Sequence, residues 1–107
     1  MVLKDLNDFM AKIQEMYEAC NSEKMVRDAA GIYSAKSILG HLIADAKELM
    51  KYGEYQIALE NLLENLSEVS FPLDRETVDL ARRAFGENFS SYHQSLLNAF
   101  QNADDTQ

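Results

Sequence analysis

Glu60, Glu64 and Glu68 recur at four-residue intervals, and no other residues of this chain have a type and spacing that invite chemistry as clearly. On a helix that interval stacks three carboxylates along one edge, where like charges repel by roughly 0.2–0.5 kcal/mol per pair. Residues 52–71 contain no lysine or arginine to offset them. Such an edge is either a solvated face or a face offered to something basic. Tyr52 and Tyr55 stand where it begins, and tyrosine is enriched among interface anchors. The candidate partner-binding residues are therefore Glu60, Glu64, Glu68 and Tyr52, with Asp45 and Glu48 as neighbours.

Other reactive side chains give thinner patterns. His41 and Asp45 are four apart, with Glu48 a turn further on, so a metal site would still need more ligands. No HExxH motif or cysteine pair supplies them, and the pair reads as a helix-surface hydrogen bond. His93 lies on an apolar stripe beside Tyr92 and Leu96. It reads as a core or boundary histidine rather than a general base, since no nucleophile accompanies it by motif. Cys20 is the only cysteine, which excludes an intramolecular disulfide. It reads as a small buried hydrophobe, although Lys24 is one turn away. Met10, Met16, Met25 and Met50 read as core filler in preference to an adaptable groove. No P-loop, dinucleotide fingerprint, EF-hand loop or nucleophile elbow occurs. The sequence thus predicts neither an enzyme nor a cofactor or metal.

Composition narrows the partners. The chain has 107 residues, the length of one domain, and its 47% hydrophobic content suits a folded core. A formal charge of -8 repels nucleic acid and steers the protein toward basic partners. Lys4, Asp5 and Asp8 interrupt any apolar run at the start, and no stretch reaches the ~20 apolar residues that a membrane span needs. The expectation is a cytoplasmic protein.

Periodicity supplies the elements that must carry these residues. Leu3, Leu6, Met10, Ile13, Tyr17 and Cys20 predict a first helix over about 2–20. Asn21 or Ser22 would cap a short second helix ending near Gly31. Ser34 is the expected cap of a third, whose apolar face runs from Ala35 to Met50 and which stops before Gly53. Gly40 inside it implies close helix packing. A very short turn then leads into the glutamate-bearing helix over 54–68, an antiparallel neighbour. Pro72 is the expected stop, Asp74 the next cap and Gly86 the next end. Phe89, Tyr92, Leu96, Leu97 and Phe100 mark a last helix. With no useful strand alternation, the prediction is an all-α compact bundle of five or six helices, one domain over 1–102 with a frayed acidic tail over 103–107.

Two resemblances attach to residues 52–73. Gly53-Glu54-Tyr55, Ala58 and Leu62 resemble the second half of a tetratricopeptide repeat, which would imply a helical adaptor or regulatory module binding a peptide or partner helix. Asn65, Ala46 and the late Pro72 depart from that pattern, and no second copy is present for it to stack on. The fuller match is to small acidic immunity proteins of bacterial toxin systems, of the Maf and contact-dependent growth inhibition type. It rests on Gly53, Glu54, Ala58, Leu59, Glu60, Leu62, Leu63, Leu66, Pro72 and Leu73, followed by a helix after Asp74. The similarity spans about 35–86, half of the chain. It implies a protein that binds and neutralises the C-terminal domain of a cognate toxin, a basic nuclease being the kind an acidic surface suits.

Overall fold

The structure, a computed structural model, describes residues 1–20, 25–28 and 31–105. Helix α1 (Leu3–Ala19) buries Leu6, Phe9, Met10 and Ile13, which lie three or four residues apart on one side. Helix α2 (Ala35–Lys51) begins at Ser34, whose hydroxyl accepts the Ser37 N–H at 3.3 Å. It buries Ala35, Leu39, Ile43 and Ala46. Gly40 faces α1, and a Cβ there would lie 3.1 Å from the Tyr17 ring, so the glycine sets the approach of the two helices.

Helix α3 (Tyr55–Glu68) follows after three residues. Gly53 adopts φ 78°, and the N–H groups of Gly53 and Glu54 close the turn on the carbonyls of Met50 and Leu49. This reversal brings α3 back along α2 and buries its Ala58, Leu59, Leu62, Leu63 and Leu66. The helix ends earlier than Pro72 alone would require. Ser70 takes φ 56°, a left-handed conformation uncommon outside glycine, while the Phe71 N–H bonds the Leu66 carbonyl at 2.8 Å. Pro72 then keeps the following segment extended. Helix α4 (Arg75–Phe85) starts on the Asp74 carboxylate, which accepts the Thr77 N–H at 2.8 Å, and stops at Gly86 with φ 57°. The Val2 N–H bonds the Ala84 carbonyl at 2.8 Å, tying the start of α1 to the end of α4.

A single 3-10 turn, Gly86–Asn88, leads to α5 (Ser91–Asp105). Backbone hydrogen bonding thus carries the last helix past the expected boundary at 102, and residues 103–105 belong to it. Among the described residues the five α-helices close into a ring. Helix α1 packs on α4 and α2, α2 on α3, α3 on α5, and α5 back on α4. One cluster of buried side chains fills its centre.

The bundle is all-α apart from one departure. Where a short second helix was expected, strands β1 (Met25–Asp28) and β2 (Gly31–Ser34) pair antiparallel, with Val26 opposite Tyr33 and Arg27 opposite Ile32. Val26, Ile32 and Tyr33 are β-branched or aromatic, types that favour a pleated surface over a helix. Asn21, Ser22 and Lys24 lie outside the described residues.

Two stability measurements test this architecture. Leu62 is 2% exposed, so Leu62→Ala should cost ~2–5 kcal/mol in urea denaturation. Hydrogen bonds from the Thr77 hydroxyl and then from its backbone N–H hold the Asp74 carboxyl below its ordinary value of 3.8. A value depressed by folding adds stability above the ordinary one, and that stability is lost as pH falls through the folded value. Asp74→Ala should therefore cost about 1 kcal/mol at neutral pH, with the gap to the parent chain closing in acid.

Candidate functional site

The glutamate edge of α3 is divided by its neighbours. Glu60 is half-buried, and its carboxylate meets His93 Nε2 of α5 at 2.6 Å while Gln56 donates to it at 3.4 Å. Glu64 accepts the Tyr92 hydroxyl, also from α5. Glu68 is exposed and, among the described residues, unpaired. The edge lacks basic partners within α3, as its sequence indicates. It gains aromatic and imidazole donors from a helix about thirty residues away.

His93 is the centre of this arrangement. It is 2% exposed and stacks on Phe85 of α4 at a centroid distance of 3.8 Å. The Ser90 N–H donates to Nδ1 at 3.1 Å, and the His93 N–H returns to the Ser90 hydroxyl at 3.4 Å. This is a reciprocal capping box at the start of α5, with histidine where glutamate or glutamine is usual. Because Nδ1 accepts from backbone, the ring's N–H is at Nε2 and donates to Glu60. Serine, imidazole and carboxylate are thus adjacent, yet the lone pair that would take a serine proton is already engaged by the backbone. The ring is also sealed against Phe85. These contacts make His93 a link among three helices.

The exposed edge of α2 differs. His41, Asp45, Glu48 and Tyr52 follow at intervals of four, three and four, and all are solvent-exposed. No hydrogen bond joins His41 to Asp45 among the described residues, so the expected surface pairing does not form. Tyr52 is 69% exposed at the end of α2, and Ile57 is 45% exposed early in α3. Ion pairs of lysine and arginine between described side chains fall on α1 and α4: Lys4–Asp8, Lys12–Glu76, Arg82–Asp79 and Arg83–Asp5. Asp45, Glu48, Glu54 and Glu68 are left without a cationic partner among the described residues.

The remaining candidates fall into the core or beside it. Met10 is buried, Met16, Met50 and Cys20 pack against the core, and Met25 is 54% exposed on β1. Phe9, Phe71, Phe85 and Phe100 are buried, so they offer no exposed phenylalanine patch. Among the described residues no three histidine, cysteine or carboxylate side chains converge as metal ligands would. No described helix is long and apolar enough to cross a membrane. Ser90 is absent from the sequence-derived candidates, yet the spacing Ser90-x-x-His93 is a capping-box spacing and marks the start of α5.

A graded pair of variants tests the division of the edge. His93→Ala would take from Glu60 its shorter hydrogen bond and remove a ring from the core, so it should cost at least ~1–3 kcal/mol. Tyr92→Phe removes one half-exposed hydrogen bond and should cost no more than ~0.5–1.5 kcal/mol. Urea denaturation of both, beside the parent chain, gives the comparison.

Comparison of the chain with protein-family models, with curated proteins and with solved structures gives no match.

Proposed function

We propose that this chain is an immunity-type inhibitor that binds the C-terminal domain of a cognate bacterial toxin, a basic nuclease, and blocks it by direct contact. The observation that carries the reading is the set of exposed carboxylates on α2 and α3 that make no ion pair with lysine or arginine among the described residues. Asp45 and Glu48 share an edge with the exposed ring of Tyr52, and Glu68 extends the charge at the far end of α3. Carboxylates held on rigid helices present fixed negative charge, as phosphates do in a nuclease cleft. They also raise the rate of encounter with a basic surface. Tyr52 adds a large amphipathic ring at little entropic cost, the type of residue that anchors interfaces. Glu60 and Glu64 contribute to the same field while bonded to α5, so they stand behind the contact surface. The overall charge of -8 and the resemblance of residues 35–86 to immunity proteins point the same way.

The direct test is to mix the chain with the C-terminal nuclease domain of a candidate toxin, chosen as a secreted protein whose gene is found to adjoin the chain's own. A 1:1 complex by size-exclusion chromatography and loss of nuclease activity are expected. Asp45→Lys combined with Glu48→Lys should weaken binding at least tenfold, or about 1.4 kcal/mol, and flatten its salt dependence. A complex with affinity and salt dependence unchanged by that pair would move the interface elsewhere; absence of any complex would end the immunity reading.

A further inference from the structure

Helix α2 has a second edge of opposite character. Gly40, Ala44, Lys47 and Lys51 repeat the four, three, four intervals of the acidic edge but face the seam with α1. Two clefts open along that seam. One, of about 240 Å³, is lined by Gln14 and Tyr17 of α1 with Gly40, Ile43, Ala44 and Lys47 of α2. The other, of about 350 Å³, lies between Leu3 and Asn7 of α1, Lys47, Met50 and Lys51 of α2, and Tyr55 of α3. Lys47 borders both, so the clefts follow one another past some three turns of α2, roughly 16 Å at the helical rise.

The lining mixes apolar side chains with Asn7 and Gln14, the α2 side carries Lys47 and Lys51, and on the α1 side Gln14 donates to Glu18 at 3.5 Å. Tyr17 and Met50 are half-buried against the core, Ile43 is buried, and Leu3 is 45% exposed. Lys36 Nζ lies 4.8 Å from the Tyr17 ring centroid at one end. Lys36, Lys47 and Lys51 make no ion pair among the described residues, although the chain carries 18 acidic residues. Lys51 Nζ lies 5.8 Å from the Tyr52 ring centroid; with no carboxylate on either among the described residues, Lys47 and Lys51 together define the complement that the hollow fits.

We propose that the α1–α2 seam is a docking groove for an acidic amphipathic helix of a partner protein. Aliphatic side chains of that helix fill the two clefts, and carboxylates one turn apart meet Lys47 and Lys51, themselves one turn apart. A groove between two packed helices with apolar side chains in its lining suits a helix with anchors at i, i+3, i+4 and i+7. The remaining negative charge of the chain disfavours an extended anionic surface such as a membrane or a duplex. This surface is separate from the acidic edge, and the inference does not depend on the immunity reading.

The test uses the full chain, 15N-labelled, and a synthetic 14-residue peptide with leucines at those anchor positions and glutamates on the flanks. A twin peptide with lysine replacing each glutamate is the control. The glutamate peptide should shift the amides of Tyr17, Lys47, Lys51 and Tyr55, and bind at least tenfold more tightly than its twin. Lys47→Glu combined with Lys51→Glu should weaken binding at least tenfold. Ala44→Trp, which fills a cleft without changing charge, should do the same; circular dichroism checks that both variants remain folded. Equal binding of the two peptides, shifts confined to other surfaces, or undiminished binding by folded variants would overturn the proposal. So would binding to phosphatidylglycerol vesicles that depends on Lys47 while the peptide leaves the seam unshifted.

Discussion

The imidazole of His93 is the constraint on which closure of the bundle depends. Helix α5 has to meet α3 on one side and α4 on the other, and His93 touches both: Glu60 by a 2.6 Å hydrogen bond and Phe85 by stacking. A buried polar ring without partners would cost more than its packing returns. Here both nitrogens are satisfied, and one of them is satisfied by the N–H of the residue that caps α5. A shift of α5 by one residue would break the stack on Phe85 and the hydrogen bond to Glu60 together, while the local Ser90–His93 cap holds the ring in the orientation both need. Register and polar satisfaction are therefore one condition. Among the described residues no buried side-chain nitrogen or oxygen lacks a partner.

This closure also decides how the negative charge is distributed. Two of the three glutamates on α3 face the helix that closes the ring, and they accept hydrogen bonds from it. The carboxylates without an ion pair among the described residues include Glu68, Glu54 and the outer edge of α2. Repulsion along α3 is thereby relieved without any lysine or arginine in that helix. A four-residue ladder with no basic partner is thus consistent with two environments on one helix: an inner end supporting tertiary structure and an outer end in solvent.

Local signals were readable from the residues because the chemistry behind them is local. Ser34 and Asp74 cap helices through bonds to N–H groups three residues on, and Gly53 and Gly86 supply the positive φ at which helices end. Gly40 correctly implied a close approach, though only the structure shows that Tyr17 makes it. The hairpin leaves little trace in the sequence because its strands are four residues each, too short for alternation to stand out from a helical pattern. The end of α3 at Glu68 agrees with the expected span of 54–68, but the reversal that follows it is made by Ser70 at φ 56°, a conformation that nothing in serine advertises. The Glu60–His93 link joins residues 33 apart, and a single sequence carries no sign of such a pairing. Ser90-x-x-His93 was legible in principle; histidine in the third helical position conceals a box normally recognised by glutamate.

Helix α2 turns the same spacing to two electrostatic ends. Its acidic edge carries Asp45 and Glu48, its basic edge Lys47 and Lys51, and between them the core-facing residues stay apolar. Glu48 and Lys51 are three residues apart, a spacing at which helix side chains can meet, yet no ion pair joins the two edges among the described residues. Sorted onto separate edges, the opposite charges leave a field that varies around the helix as well as an overall negative charge. Such a field orients an approaching protein, because a basic surface is drawn to one edge and repelled from the other. Rigidity makes that orientation useful: α2 is capped by Ser34, reversed by Gly53 and packed against both α1 and α3, so its edges keep fixed directions. The arrangement that builds the core therefore also sets the angle from which each kind of partner is met.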